Sequence, residues 1–418
     1  MNINNNIPKE TDLHTMEINA IKEAPYGLLD GLTLFRFAHM WRQASSGGVE
    51  AYLWNLNRTL LERNAIRILQ MYLVRENEPF GIEIEKIGRG ELVWIPSILR
   101  TNSEEQSGIA KRIWTKLSDR QGGKFAVNHD MLLSTLANYQ PTLGVFHWIS
   151  EDSRTVINYL DTRDVPFVMV HHFHNRKLNE KGLKKQISKA LAIAGVSEVD
   201  VPVFLRNRFI NIADGIDIDF FHPQAALPLD IKLEEAMIFL PARICEEKGH
   251  LDAVRALGLL IRSGVKAILA FAGHEGNQDF INKLRLVISE EGVQERVIFV
   301  GELQSEDIRN WYAASAIVIL PSYEEGLGRV LLEAQAMERP VLVYDVGGVR
   351  EAFQEGSSGL LVRKGDIGGL ARGLQVLLED KGSRSAMGEK GREFVVGRFS
   401  LNLLAIRHER FYANVLNL

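Results

Sequence analysis

Short apolar runs alternate with helical segments along the second half of the chain, and this alternation most constrains the fold. Each run is four to six residues long, and the stretches between the runs place apolar residues at helical spacing. Residues 250–263, for example, carry Leu251, Val254 and Leu257 on one predicted helix face. Strands that alternate with helices form a parallel sheet covered on both faces. The predicted strands of this half are residues 237–242, 267–272, 296–300, 316–320, 340–344 and 359–362.

The first half shows a similar alternation. Because 418 residues are too many for one hydrophobic core, we predict two α/β domains. The predicted boundary lies near residues 214–223, which gives domains at residues 31–215 and 216–400, preceded by a tail or arm at residues 1–30. The predicted strands of the first domain are residues 32–38, 65–74, 92–95, 143–148, 166–171 and 209–213.

Composition indicates an ordinary globular protein, with 46% hydrophobic and 24% charged residues. A net charge of -4 gives no support for nucleic acid as a partner. The single cysteine, Cys245, excludes an internal disulfide framework and is typical of a reducing compartment. The polar first 25 residues do not resemble a signal peptide, and no apolar run reaches the roughly 18 residues that a membrane span needs. These features predict a cytoplasmic protein.

A glycine-bearing loop joins the predicted strand at residues 316–320 to a predicted helix at residues 328–337, which Pro340 ends. Glycine lets the backbone approach a ligand, and the first N–H groups of the helix would face an anion such as pyrophosphate. Glu325 precedes these amides, and Glu333 lies inside the helix. Two acids so placed do not flank one bond as a general-acid pair does, so we expect them to contact different parts of one ligand.

Glu325 and Glu333 form a Glu-x7-Glu motif within PSYEEGLGRVLLEAQA, and three further segments accompany it, namely ARICEEKG, SGGVEAYLWNL and IADGIDIDFFHP. Together they resemble the retaining glycosyltransferases of family 4. The resemblance implies the GT-B fold, an α/β fold in which two Rossmann-like domains with parallel sheets face a central cleft. It also implies that the last helix, residues 401–418, completes the first domain. Asp214 stands where the family usually has Asn, a departure expected at a hinge rather than at the chemistry.

The resemblance assigns roles to individual residues of a nucleotide-sugar site. Arg243 and Lys248 would grip the donor pyrophosphate, Glu333 would accept from the ribose hydroxyls, and Glu325 would contact a hydroxyl of the transferred sugar. The predicted catalytic residues are His172 and Glu325. The predicted donor-binding residues are Gly47, Gly48, Arg243, Lys248, Gly326, Leu327, Gly328, Arg329 and Glu333.

The histidines of PFVMVHHFHN need separate consideration. The family pattern places the site histidine six residues after the proline, which selects His172. Strand alternation puts His171 and His172 on opposite faces, so a shared metal is disfavoured, and a zinc site would need further ligands. No metal site is therefore predicted. Trp148 and Glu151, after the preceding strand, are candidate acceptor contacts.

Simpler explanations stay open for several of these residues. Arg243 and Lys248 could be solvated surface charges, and the Gly47 and Gly48 pair could be an ordinary turn. Glu333 could be an exposed helix residue, with Gln335 on the same polar face. Residues 176–189 hold six cations against one acid, a pattern that suits anionic lipid headgroups, a phosphorylated acceptor or a solvated helix. The first of these would give peripheral contact with the inner face of a membrane.

The leading hypothesis is a metal-independent, retaining hexosyltransferase. It would move a hexose or N-acetylhexosamine from a UDP- or GDP-sugar to an acceptor hydroxyl, in polysaccharide, glycolipid or natural-product assembly. The nucleotide sugar is a co-substrate, and no other cofactor is expected, since G-x-G-x-x-G after the first strand and the P-loop motif are absent. A sugar-nucleotide epimerase or hydrolase, or a silent binding module, are the alternatives. Donor sugar, acceptor, linkage and oligomeric state are left open by the sequence.

Overall fold

The computed structural model divides the chain into two compact units. The N-terminal unit comprises Met1–Ile212 together with Ala405–Leu418, and the C-terminal unit comprises Ala213–Leu404. The residues that the structure describes are 25–40, 48–75, 80–100, 124–147, 151–171, 184–185, 187–196, 201, 203–229 and 235–418.

The N-terminal unit is built on a sheet with the strand order β3-β4-β2-β1-β6-β7-β8-β9, with β5 paired to β4. All described pairs are parallel except those that β3 and β5 make with β4. The strands are β1 Thr33–Met40, β2 Arg67–Arg75, β3 Glu83–Ile87, β4 Gly90–Arg100, β5 Lys124–Ala126, β6 Leu143–Phe146, β7 Phe167–His171, β8 Ile193–Gly195 and β9 Phe209–Asn211.

Helices α1 Gly48–Arg63, α2 His129–Tyr139 and α3 Glu151–Asp161 connect these strands. Leu53, Leu56 and Leu60 lie at helical spacing along α1 and are fully buried. Their burial removes three large apolar side chains from water, each contributing roughly 1.5–3 kcal/mol before entropy is counted.

Three strands of this unit were not predicted. Strand β3 lies at the sheet edge with mostly exposed, charged residues, so it lacks the apolar alternation that marks a strand. Strands β5 and β8 have only three residues each, too few for a periodic pattern. The end of the predicted tail instead packs on the N-terminal unit, because Leu29 is fully buried and its N–H donates to Asn64 Oδ1 at 3.1 Å.

The C-terminal unit contains a fully parallel six-stranded sheet with the order β12-β11-β10-β13-β14-β15. Counted within the unit, this is 3-2-1-4-5-6, the doubly wound order of dinucleotide-binding folds. Its elements are β10 Ala236–Pro241, α4 His250–Arg262, β11 Ala267–Ala272, α5 Gln278–Glu290, β12 Val297–Gly301, α6 Ser305–Ala314, β13 Ile317–Leu320, α7 Arg329–Ala336, β14 Val341–Tyr344, β15 Gly359–Val362, α8 Ile367–Glu379 and α9 Lys381–Arg398.

All six strands predicted for this half occur in the structure. Two match the predicted bounds and the other four lie within one residue of them at each end. Leu251, Val254 and Leu257 are buried against the sheet, as their spacing predicted.

The two segments by which the chain enters and leaves the C-terminal unit lie side by side within it. The N–H of Ile216 donates to the Phe399 oxygen at 2.7 Å, and Gly215 packs against Leu404. The last helix, α10 Leu401–Leu416, then continues into the N-terminal unit, where His408 and Phe411 are buried. None of the helices in the described ranges is long and apolar enough to cross a bilayer.

Candidate functional site

The strand order of the C-terminal sheet reverses between β10 and β13, and the predicted site residues follow these two strands. Arg243 lies two residues beyond β10, and Glu325 lies five residues beyond β13. In open parallel sheets, ligands bind outside the carboxyl ends of strands at such a switch point. The fold therefore brings the two motifs to the edge where a ligand site is expected.

Backbone contacts fix the segment after β10, which we call the phosphate segment (residues 242–249). The N–H of Ile244 donates to His274 O at 2.9 Å, and Gly276 donates back to Ile244 O at 3.1 Å. Arg243 projects from this braced backbone and is exposed. His250, which opens α4, is fully buried against Phe271, and burial lowers its pKa to about 4. It is therefore neutral at physiological pH.

The phosphate segment lies directly against the loop after β13, which we call the donor loop (residues 321–328). Gly249 has a φ of +70°, and a Cβ there would overlap the Pro321 carbonyl oxygen, so only glycine fits. Lys248 Nζ donates to Glu325 Oε1, and Ser322 Oγ donates to the same oxygen at 3.0 Å. Two of the residues predicted for different parts of the donor thus meet in one ion pair.

A buried carboxylate beneath the donor loop was missed by sequence reasoning. Asp252 of α4 is almost fully buried and accepts from Tyr323 at 2.7 Å and from Tyr344 at 3.0 Å. Burial, followed by the Asp252 carboxylate, raises the pKa of Tyr323 to about 12. These bonds tie the donor loop to α4 and β14. The sequence offered one signal for this residue, since Asp252 lies among apolar residues in the helical segment HLDAVRALG. An acid on a buried helix face needs hydrogen-bonding partners.

Gly328 ends the donor loop in the left-handed conformation that favours glycine. Gly328 has a φ of +78° and caps α7, and the Gly326 oxygen accepts from Gly348 N at 2.7 Å. Leu327 is buried, so it contributes backbone rather than side chain to the surface. The first amides of α7, beginning at Arg329, have no acceptor within the helix and lie at its positive end.

Asp214, which was predicted at a hinge rather than at the chemistry, contacts the predicted donor-binding residue Arg329. The Arg329 guanidinium donates to Asp214 Oδ1 at 2.6 Å and to Gly215 O at 3.1 Å, and the pair is largely buried. Asp214 therefore pairs with Arg329, a cation at the start of α7, and α7 also carries Glu333. The separation of 115 residues explains why no local pattern indicated the contact.

Glu333 is half-buried on α7, and Tyr312 donates to its Oε2 at 2.9 Å. Burial is the main cause that raises the pKa of Glu333, while Arg329 and the Tyr312 hydrogen bond act to lower it. Gln335 was expected on the same polar face, and this is wrong. It is fully buried and bonds to Leu331 O, Ala352 O and Ser358 Oγ, at 2.7–2.8 Å, so it supports the fold.

The site residues predicted in the N-terminal unit are only partly described. Gly48 begins α1, while Gly47, His172 and Trp148 lie outside the described residues. His171 ends β7 and is buried. Glu151 begins α3.

The basic segment is also only partly described. Of its six cations, Lys184 and Lys185 are exposed, and Lys189 pairs with Asp161. The Lys184 ammonium lies 4.9 Å from the ring centroid of Phe204. Arg176, Lys177 and Lys181 lie outside the described residues.

Among the described residues, no group of three or more His, Cys, Asp or Glu side chains is placed to hold a metal ion. Asp217 and Asp219 form an Asp-x-Asp pair, the pattern of some metal sites, but Asp217 has a local role. Asp217 Oδ1 accepts from Phe220 N at 2.9 Å and from Asp219 N at 3.2 Å, which closes an Asx turn.

Comparison with known proteins finds sequence similarity mainly in the C-terminal unit. Residues 227–394 match the family model of glycosyl transferases group 1. The chain is 32% identical over 172 residues to the lipopolysaccharide core biosynthesis glycosyltransferase LpsE of Rhizobium meliloti, covering 41% of this chain and 48% of that protein. It is 29% identical over 169 residues to the alpha-D-kanosaminyltransferase of Streptomyces kanamyceticus, covering 40% and 43%. These alignments span less than half the length of either relative.

Solved structures match over almost the whole chain. A glycosyltransferase from Rickettsia africae superposes with a TM-score of 0.67 at 19% identity, covering 92% of this chain and 98% of that one. Anabaena HepE, solved with UDP-glucose, gives a TM-score of 0.64 at 16% identity, covering 91% and 100%. The predicted α/β fold with two mainly parallel sheets, shared with GT-B glycosyltransferases, is therefore confirmed.

Proposed function

We propose that this protein is a retaining glycosyltransferase that moves a hexose or N-acetylhexosamine from a UDP- or GDP-sugar to an acceptor hydroxyl without a metal ion. The observation that carries the proposal is the meeting of Lys248 and Glu325 at the switch point of the C-terminal sheet. An ordinary surface ion pair can form anywhere on a protein, whereas the proposed donor site needs both a cation and an acid at this switch point.

The charges suit departure of a nucleoside diphosphate. As the bond between the anomeric carbon and the pyrophosphate oxygen breaks, negative charge gathers on the leaving group. Arg243 can donate two parallel hydrogen bonds to phosphate oxygens, and the Lys248 ammonium has three donors, so it can keep Glu325 while binding phosphate. The positive end of α7 adds backbone amides to the same charge.

The remaining roles concern the sugar and the ribose. Glu333 would accept from the ribose hydroxyls, and Glu325 from a hydroxyl of the transferred sugar. The acceptor oxygen would bond to the anomeric carbon on the face that the pyrophosphate leaves, passing its proton to a pyrophosphate oxygen. His172 and the Gly47 and Gly48 loop would contact the transferred sugar.

Two alternatives predict different products. A sugar-nucleotide hydrolase or epimerase would release free sugar or an isomer without an acceptor, and a silent module would bind the donor and leave it intact. The Glu-x7-Glu spacing and the group 1 match favour transfer over both.

A panel of sugar nucleotides tests the proposal. We expect one UDP- or GDP-sugar to raise the melting temperature, and the same donor to yield a glycoside of unchanged anomeric configuration when an acceptor mixture is added, as read by NMR. A product of inverted configuration would refute retention, and binding without any product would favour the silent module.

A further inference from the structure

Tyr312 is the only fully buried residue of helix α6 in the C-terminal unit. Its ring contacts Phe239 edge-on at a centroid distance of 5.4 Å and Phe221 at 6.1 Å. Aromatic contacts of this kind hold a ring in one orientation. The hydroxyl group at the end of the ring is therefore fixed in space.

That hydroxyl donates to Glu333 Oε2 at 2.9 Å across 21 residues of sequence. A carboxylate has two oxygens that accept hydrogen bonds. Because the Tyr312 hydroxyl occupies Oε2, Oε1 is left for a ligand. Glu333 has three torsions of its own, and without this bond its carboxylate could rotate among several orientations. The bond from Tyr312 restricts this rotation and does not use the oxygen that a ligand would contact.

We propose that Tyr312 is a positioning residue that orients the Glu333 carboxylate toward the donor ribose. This inference rests on the proposed function, in which Glu333 accepts from ribose hydroxyls. Tyr312 itself would touch no part of the donor. Its contribution should therefore appear only with ligands that carry a ribose.

Titration calorimetry of the full chain with Tyr312→Phe tests whether the effect is confined to ligands that carry a ribose. The first probe is UDP or GDP, whichever binds the unsubstituted protein more tightly. The second probe is inorganic pyrophosphate, which lacks ribose. We expect nucleoside diphosphate affinity to fall about fivefold to tenfold, which is less than for a charged hydrogen bond made directly to the ligand because Tyr312 acts only through Glu333, and pyrophosphate affinity to change less than about twofold.

Tyr412→Phe is the matched control. Tyr412 is equally buried but lies in the N-terminal unit, where its hydroxyl accepts from Arg36 at 3.3 Å. It should leave the ratio of the two affinities unchanged. Glu333→Gln should lower that ratio as Tyr312→Phe does, and combining Glu333→Gln with Tyr312→Phe should add little more, because Tyr312 acts only through the carboxylate that Glu333→Gln already removes.

A pH series gives a readout that loss of packing would not produce. The groups that face Glu333 are Arg329 from its own helix, Asp214 from the segment that enters the unit, and Tyr312 from α6. Burial raises the pKa of Glu333, so ribose binding that needs the carboxylate is lost as pH falls through this raised pKa. Tyr312→Phe removes a bond that lowers the pKa, so the loss should begin at higher pH.

The outcomes separate this inference from the proposed function. If Glu333→Gln weakens nucleoside diphosphate binding while Tyr312→Phe does not, the inference is overturned and the proposed site stands. If Tyr312→Phe weakens both probes equally, Tyr312 has only a structural role. If Glu333→Gln changes neither affinity, the role of Glu333 in the proposed function fails. Should Tyr312→Phe not fold, Glu333→Asp, which withdraws the carboxylate from the fixed hydroxyl, must give the same selective loss.

Discussion

The two units each contain an ion pair that joins distant parts of the chain, but the pairs differ in exposure. In the N-terminal unit, Arg63 and Glu409 have side-chain exposures of 4% and 1%, and Asn64 adds a 2.7 Å bond to Glu409. In the C-terminal unit, Lys248 and Glu325 keep 24% and 13%. The first pair is satisfied inside the protein, while the second retains a face that a ligand can reach.

The surroundings of the two pairs extend this difference. Around Arg63, other buried polar groups bond to one another: Tyr52 to His408 at 2.6 Å, and Arg36 to Asn57 and Tyr412. These bonds join α1 and β1 to the last helix. In the C-terminal unit, Lys248 and Glu325 lie instead just beyond the carboxyl ends of β10 and β13. The buried charges of the first unit therefore join elements of the fold, whereas the partly exposed pair of the second lies at the proposed donor site.

The largest effect is expected from breaking the buried pair. Arg63→Met leaves the Glu409 carboxylate buried without its cation, which should lower the free energy of unfolding of the N-terminal unit by about 3–5 kcal/mol. Hydrogen exchange of the α1 and α10 amides measures this unit separately, which matters because a chain of two units need not unfold in one step.

Arg58→Met is the control for that experiment. Arg58 of α1 pairs with Glu62 at 2.9 Å but is 61% exposed, so its loss should cost under about 1 kcal/mol. Equal costs for the two variants would contradict the distinction between the pairs.

The second effect concerns diphosphate binding in the C-terminal unit. Arg243→Ala and Lys248→Ala should each weaken binding of the bare nucleoside diphosphate by roughly 1.5–3 kcal/mol, the value of a charged hydrogen bond, and leave the fold intact. Calorimetric titration measures it. Lys283→Ala is the control, since Lys283 pairs with exposed Glu246 of the phosphate segment at 3.2 Å. Unchanged affinity in both site variants would remove Arg243 and Lys248 from the site.

The third effect concerns His172 of the N-terminal unit, which we propose contacts the transferred sugar. His172→Ala should lower turnover roughly tenfold or more, equivalent to about 1.4 kcal/mol, while affinity for the bare diphosphate, which lacks the sugar, stays the same. Measuring both on one variant decides it. Equal losses, or no loss in either quantity, would mean that His172 does not contact the sugar.

The smallest effect is expected from removing metal ions. If Arg243, Lys248 and the amides of α7 neutralise the leaving diphosphate, transfer should continue unchanged in excess EDTA. Complete loss that only magnesium or manganese restores would show that these charges are insufficient.

Sequence patterns were most informative in the C-terminal unit because its strands are buried on both faces. Such strands are continuous apolar runs, and β11 Ala267–Ala272 was located to the residue. In the N-terminal unit, the exposed edge strand β3 and the three-residue β8 carry no such signal. For Gln335, the sequence signal was present but misleading. A polar residue on a helix was assigned to the surface, although the fold supplies three hydrogen-bond partners for it in the core.

The sequence by itself determined the alternation of strands and helices, the placement of Arg243 and Glu325 just beyond strand ends and that of Glu333 in the helix that follows, because these follow from periodicities of a few residues. Tertiary structure alone decided which side chains meet. Lys248 finds Glu325 across 77 residues, and Arg329 finds Asp214 across 115. Partnerships over such separations depend on strand order and sheet twist, which bring together groups that no local pattern relates.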